Sequence, residues 1–425
     1  MSLLSFGNEN TVIDEAKKAE FLDEIIEKRI QGQVKRLLLI PPDHTRLYSD
    51  TGWITAYLYK KLSADIKIDI LPALGTHVPM GDEELELMFG KDIPKSCFIP
   101  HMWRDDLTVL GKVPQEYIEE KSEGKVSYTM EVAVNKVLID GNYDLILSLG
   151  QVVPHEVIGM ANYTKNILIG VGGGDTIHKS HFLGAAYGME SMMGHIETPV
   201  RSVLNYGFNT FLNDLPIEFV FTVMQKTKTD VVMRGLFYGK DETAFIEAAK
   251  LSQKVNLDLL EKPIKKAIAY LDPREFKTTW LGNKAVYRLR MAMADDGELI
   301  ILAPDLHGFG EDETIDKLIR KYGYKGTDDT LKQVGENAEL KDNLSAAAHL
   351  IHGASDGRFK ITYCPGPGLT EEEIRSVGYN YAPYEEMKDL YPIEKLQDGW
   401  NELNGEEVFY VSNPALGLWA LKDNF

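Results

Sequence analysis

The chain is expected to fold as an α/β protein of two domains, each a mostly parallel sheet flanked by helices, with the active site in the cleft between them. Three observations carry this expectation. Short apolar runs alternate with amphipathic stretches along most of the sequence. Several of these runs end in loops bearing uncommon polar residues, as strands of open parallel sheets do at their carboxyl rim. At 425 residues the chain is also too long for one ordinary core.

Residues 13–29 form an acidic helical lead-in before the first strand-like run, 34–40. Further strand-like runs lie at 66–74, 144–149, 167–171, 217–224 and 231–238, with helical patterns at 52–62, 82–88, 176–187 and 199–212. A long helical stretch, 241–260 and then 263–271, marks the expected boundary between domains 1–271 and 272–425. Beyond it, 280–294 reads as helix and Asp295-Asp296-Gly297 as a turn. Strand-like runs follow at 298–303, 359–363 and 407–411, with helices at 314–322, 330–334 and 343–352.

Composition narrows the function. Acidic residues outnumber basic ones by 65 to 46, for a formal charge of −19, which repels phosphate backbones and argues against nucleic acid as a partner. Only Cys97 and Cys364 occur, without metal-ligand spacing, and a reducing cytoplasmic setting is expected. The start of the chain does not read as a secretory signal, and no apolar run has the length of a membrane span.

Three polar loops carry the chemistry. Pro41-Pro42-Asp43-His44-Thr45-Arg46 closes the first run, and its prolines rigidify a turn that presents Asp43 and Arg46. Arg46 is suited to grip a carboxylate, although an Asx turn with a surface ion pair accounts for the same letters. Gly75-Thr76-His77 closes the second run, and Pro154-His155 follows the third. Two histidines at equivalent strand ends suit proton exchange, though each alone reads better as structural. Lys165 follows His155 by ten residues and His181 follows Lys165 by sixteen. Between them Gly172-Gly173-Gly174 opens a helix, a turn type that suits an anion but also serves as a permissive bend. His178 and His181 share a helix face, yet no HExxH pattern accompanies them.

This ordered set resembles the lactate racemase family, whose members use a nickel-pincer nucleotide. The family pattern is an Asp-x-Thr-Arg loop, a Gly-Thr-His loop, a Pro-His pair, a Lys ten residues on and a His sixteen further. Here those positions are Asp43, Thr45 and Arg46, Gly75-Thr76-His77, Pro154-His155, Lys165 and His181. The match is strong over residues 34–190 and looser beyond. The resemblance implies that Lys165 tethers the pyridinium mononucleotide, with Gly172, Gly173 and Gly174 beside it, and that His181 ligates nickel. It implies that His77 and His155 are the paired acid/base groups, that Arg46 holds the substrate carboxylate and that Asp43 orients a histidine or the substrate. Cofactor-maturation proteins are implied as partners.

The chain departs from the family in three places. Leu47 stands where the first loop commonly continues with Pro. Gly159-Met160-Ala161-Asn162-Tyr163-Thr164 replaces a Ser/Gly-rich stretch. Tyr287-Arg288-Leu289-Arg290-Met291 stands for the Tyr-Gln-x-x-Lys segment of the lactate enzymes. Arg288 and Arg290, with His307, His349 or His352, are available for hydroxyl groups, though each reads equally as structural, and the expectation is a racemase or epimerase inverting C2 of a 2-hydroxy acid. An aldonate-type sugar acid is expected rather than lactate, by reversible hydride transfer to the nickel-pincer nucleotide. The alternatives are a nicotinamide-dependent 2-hydroxy acid dehydrogenase, whose GxGxxG pattern fails at Asp175, and a non-catalytic sugar-acid-binding protein.

Overall fold

The computed structural model describes residues 3–227, 230–415 and 417–425. Two compact units emerge, Met1–Leu183 with Met192–Asn256, and Gly184–Ser191 with Leu257–Phe425.

The first unit is built on a six-stranded sheet of β1 (Leu4–Gly7), β2 (Arg36–Ile40), β3 (Lys67–Ile70), β4 (Leu145–Gln151), β5 (Ile217–Lys226) and β6 (Val231–Gly239). Its strand order is β1-β6-β5-β4-β2-β3. The pairs β3–β2, β2–β4 and β4–β5 are parallel, and β5–β6 and β6–β1 are antiparallel. β2 and β4 are apolar on both faces because both faces are covered; Leu37, Leu39, Leu145 and Leu147 are fully buried. Each such leucine contributes roughly 1.5–3 kcal/mol by leaving water. Helices Glu15–Ile25 and Thr51–Leu62 add Phe21, Leu22, Ile54 and Leu58 to the core on one face. A separate antiparallel pair, Leu107–Val113 with Met130–Asn135, stands beside the sheet.

The chain runs from β2 to β3 on one side of β2, and β4 lies on its other side, so the sheet reverses direction at β2. The loops after β2, β3 and β4 therefore leave one rim at a topological switch point, where open α/β sheets bind ligands.

The second unit holds β7 (Ile264–Tyr270), β8 (Met293–Ala303), β9 (Lys360–Pro365), β10 (Asn380–Tyr381), β11 (Gly399–Leu403) and β12 (Glu406–Val411). Their order is β10-β9-β8-β7-β12-β11, parallel except for the β11–β12 edge pair. Among the described residues of the whole chain, no helix is long and apolar enough to cross a membrane.

Four local expectations are corrected. Residues 264–270 form β7, a strand inside the second sheet, because Ile264, Ala267, Ile268 and Ala269 are buried between two neighbours. The lysine pair Lys265-Lys266 had disguised that run as a helix face. The strand precedes the expected 271/272 boundary but groups by compactness with 257–425. Residues 167–171 are not a strand: Asn166–Gly170 is a buried π-helical turn, an ambiguity inherent in short apolar runs. The helix expected over 280–294 is two short pieces, Thr279–Gly282 and Lys284–Leu289. Asp295-Asp296-Gly297 sits inside β8 as an irregularity, with Asp296 at φ 62°. The chain turns there without leaving the strand.

Candidate active site

One pocket of about 250 Å³ in the first unit is lined by Asp43, Arg46, His77, His155, Lys165 and His181 together. Thr45, Thr76, Gln151, Asn162 and Asn166 line it as well. The elements that place each group can be traced in turn.

Pro42 bridges to Ala73 in parallel, and Ala73 N–H donates to Pro41 O at 2.8 Å, which extends the β2–β3 pairing by two residues. Asp43 then caps a short 3-10 turn, His44–Ser49, its Oδ1 accepting from Thr45 N at 3.1 Å and Thr45 Oγ1 at 2.5 Å. Its other oxygen lies 2.5 Å from His77 Nδ1. Burial would raise the Asp43 carboxyl, but the hydrogen bonds from His77 and Thr45 and the charges of His77 and Arg46 outweigh it, and its pKa falls. An ionised carboxylate accepts only, so His77 Nδ1 carries the proton, and in the neutral ring Nε2 carries the lone pair.

His77 is brought to the rim by Gly75, whose φ of 58° suits a residue without Cβ and whose N–H donates to Gly170 O at 2.8 Å. His155 belongs to a two-residue ladder with Gly159–Met160. Val157 N–H donates to His155 Nδ1 at 3.1 Å, so the neutral ring carries its proton on Nε2. Burial drives the His155 pKa well below its ordinary value; Glu156 opposes this, and Lys165, His181 and Arg46 reinforce it. The two histidines thus rest in opposite tautomers, one a proton acceptor at Nε2 and one a donor.

Lys165 follows two consecutive residues at positive φ, Asn162 at 76° and Tyr163 at 58°. Each non-glycine residue there costs of order 1–2 kcal/mol. Burial lowers the Lys165 pKa to about 8, with Arg46 adding to the effect, so a useful fraction of the amine is neutral and nucleophilic near physiological pH. His181 lies on helix Gly174–Tyr187 and its Nδ1 is 2.6 Å from Ile177 O, which leaves the lone pair on Nε2. Burial pushes its pKa down to about 4. A neutral imidazole oriented through its other nitrogen by a carbonyl is the usual preparation of a metal ligand. No group of three or more His, Cys, Asp or Glu among the described residues is arranged to hold a metal alone.

Gly172, Gly173 and Gly174 do not line this pocket. A Cβ at Gly172 would meet Leu168 O at 1.8 Å, and one at Gly174 would meet the Trp103 ring at 2.8 Å, so the glycines admit close packing there. The N–H of Gly173 is taken by Ala133 O. The buried ring of His101 sits between Gly172 O and Asn135 and holds the turn in place.

In the second unit, Arg290 is buried and bound to Glu190, Asp356 and Ala354 O, which commits its guanidinium to the fold rather than to a ligand. His349 is held by Tyr324 and Asn283, and His307 pairs with Asp305 at 2.9 Å. Of the two readings open for Arg290 and His349, ligand bonding and structure, these contacts favour the structural one. Sequence reasoning passed over Gln151, Asn162 and Asn166. The legible signal was Asn162, a residue type enriched at positive φ, directly before a lysine.

Fold and pocket together define a class: an α/β protein whose sheet rim gathers paired histidines, a guanidinium and a lysine amine. Residues 8–194 match the lactate racemase N-terminal domain family. Lactate racemase of Lactiplantibacillus plantarum is 30% identical over 151 residues, 34% of this chain and 32% of that protein. That alignment spans about a third of the relative's length. Lactate racemase of Thermoanaerobacterium thermosaccharolyticum is 24% identical over 328 residues, 72% of this chain and 71% of that protein. Among solved structures, a Thermotoga maritima protein superposes with a TM-score of 0.78 at 22% identity, covering 98% of this chain and 100% of that one. The T. thermosaccharolyticum lactate racemase apoprotein gives 0.68 at 16% identity, covering 95% and 92%. These two likenesses establish the fold.

Proposed function

We propose that this chain inverts C2 of a 2-hydroxy acid, with an aldonate-type sugar acid preferred to lactate. One observation carries the reading: His77 and His155 share a pocket in opposite tautomers, beside Lys165 and His181.

The chemistry explains why such a pair is useful. A C–H beside a carboxylate is a poor acid, because deprotonation would place a second negative charge next to the first. Removing hydride from C2 while a base takes the hydroxyl proton avoids that state. His77 Nε2 is prepared for this, since Asp43 stabilises the imidazolium that results. His155 Nε2–H is prepared to return a proton to the opposite face. For the other enantiomer the roles exchange, with loss of the Val157 bond. Arg46 holds the substrate carboxylate.

The residues present fit a nickel-pincer nucleotide. Lys165 offers a partly neutral amine for the tether and His181 a single oriented nitrogen for the metal. The remaining metal donors would belong to the bound group. That group supplies a site that takes and returns hydride. The dinucleotide alternative loses ground, because Gly170–Gly174 follows a π-helical turn and not a strand.

The preference for a sugar acid rests on the departures from the lactate enzymes' segment and on the polar lining of Gln151, Thr76 and Asn162. A site built to bond hydroxyls rejects analogues that lack them. A cytoplasmic setting with maturation proteins as partners is part of the proposal, in keeping with the unpaired thiols Cys97 and Cys364. Protein produced together with cofactor-maturation enzymes should carry a covalent adduct or tightly bound nickel nucleotide by mass spectrometry. It should epimerise gluconate or mannonate faster than lactate or malate by chiral chromatography. Faster turnover of lactate than of every sugar acid would overturn the substrate assignment.

A further inference from the structure

The segment between His155 and Lys165 is stitched at alternate residues to the start of one helix, Pro199–Phe211. Thr198, its N-cap, donates from Oγ1 to Ile158 O at 3.0 Å. Arg201 reaches three acceptors: Met160 O from Nη2 at 2.6 Å, and Asn162 O and Thr164 Oγ1 from Nη1, each at 3.0 Å. Thr164 Oγ1 in turn donates to Asn205 Oδ1 at 2.8 Å, one helical turn beyond Arg201. Side chains of 198, 201 and 205 follow one another along one helix face and meet these acceptors in turn.

Arg201 is 2% exposed, and its guanidinium carbon lies 4.4 Å from the Phe245 ring centre. Tyr163 is wedged between Phe245 and Phe219, at 5.4 and 4.8 Å between ring centres. A guanidinium devoted to carbonyl and hydroxyl oxygens, buried on a helix two residues from its start, is an expensive way to hold a loop. The loop it holds contains the two left-handed residues that aim Lys165.

We propose that Arg201 is a positioning residue for Lys165: its fork locks the Asn162-Tyr163 turn so that the lysine amine is presented to the pocket. The assignment of Lys165 as a tether rests on the function proposed above, but the positioning itself is a property of the protein alone. A planar fork spans three acceptors where a lysine ammonium does not.

The test uses the full-length protein without cofactor. Reductive methylation with formaldehyde and cyanoborohydride at neutral pH, mapped by peptide mass, reads the reactivity of Lys165 against exposed Lys317. In the unaltered protein Lys165 should react faster than Lys317, because its amine is held partly neutral. Arg201→Gln should lower the Lys165 rate at least tenfold at temperatures where circular dichroism shows the protein folded, with Lys317 unchanged. Arg201→Lys should not restore it. Thr164→Val removes one acceptor with little change in shape and should lower the Lys165 rate about threefold; it serves if Arg201→Gln fails to fold. A purely structural arginine would lower the melting temperature and leave the Lys165 rate of the folded protein alone, and that result would overturn the proposal. Failure of the matured protein to carry any adduct or bound nucleotide would instead count against the functional reading.

Discussion

His155 and His181 in the first unit and His349 in the second share a lowered pKa but not their surroundings. In the first unit His155 and His181 are driven down in pKa by burial, and both line a pocket with one nitrogen committed to backbone. In the second unit His349 is driven down to about 3, also by burial. Its ring centre lies 4.2 Å from that of Trp280 at a tilt of 32°, and its Nε2 faces Tyr324 Oη at 3.0 Å and the Asn283 amide at 3.4 Å. Asn283 Oδ1 accepts from both Tyr363 and Tyr379, which closes the network. A depressed pKa is therefore no mark of catalysis by itself. The difference lies in where the ring sits: against a cavity in the first unit, inside a network of aromatic and amide partners in the second.

The largest expected effect separates the two sets directly. His77→Ala and His155→Ala should each lower turnover of the matured enzyme by about 10²–10⁴-fold. His349→Ala should leave turnover of the remaining folded protein within a few-fold and destabilise it by about 3 kcal/mol, read from urea unfolding. Equal losses of turnover at all three positions would erase the distinction.

Asp43→Asn sharpens the contrast within the pocket. The amide no longer stabilises a protonated His77, so kcat should fall about 10²-fold with KM little changed. An unchanged kcat would remove Asp43 from its assigned role.

Acid provides the next test, and the sign follows from the direction of the shifts. His349, His155 and His181 have folded-state pKa values below the unfolded value of about 6.5, so the folded protein binds fewer protons than the unfolded one. Their stabilising contribution is present above pH 6.5 and is lost as pH falls towards the folded values, about 3 for His349 and about 4 for His181. Each contributes a slope of about 1.4 kcal/mol per pH unit within that window. His349→Phe should flatten the profile by one such slope in urea melts between pH 7 and pH 4.

The smallest effect concerns packing behind the Lys165 loop. A Cβ at Gly150 would lie 1.7 Å from Asn162 Nδ2, so Gly150→Ala must push that residue aside. A loss of roughly 1–3 kcal/mol is expected by thermal unfolding, together with slower methylation of Lys165. A neutral substitution would show that the turn has room to spare.

Much of this was legible from residues alone. Strands β2, β3 and β4 announced themselves as apolar runs ending in Pro-Pro-Asp, Gly-Thr-His and, after a short spacer, Pro-His. Their polar ends were read as pocket groups because parallel strands share a rim. Ile264–Tyr270 reads as helix because Lys265 and Lys266 break its apolar pattern, although Ile264, Ala267, Ile268 and Ala269 are buried in a sheet whose neighbouring strands come much later in the chain. The run 167–171 reads as a strand because a short apolar stretch fits a buried strand and a buried helical turn equally well. Arg201 escaped notice since nothing local distinguishes a buried arginine from an exposed one on an amphipathic helix.

By itself, then, the sequence determined the α/β class, the order of polar loops and the residue types that meet at the rim. These depend on local pattern: hydrophobic periodicity, proline and glycine at turns, and the spacing between Lys165 and His181. Only the tertiary structure decided which ring nitrogen each histidine offers, which glycines pack rather than bind, and which arginine holds a loop instead of a ligand. Those outcomes depend on partners far apart in the chain: Asp43 with His77, Trp103 with Gly174, Arg201 with Asn162. A side chain's protonation and freedom are set by what burial places around it, and that neighbourhood exists only once the chain has folded.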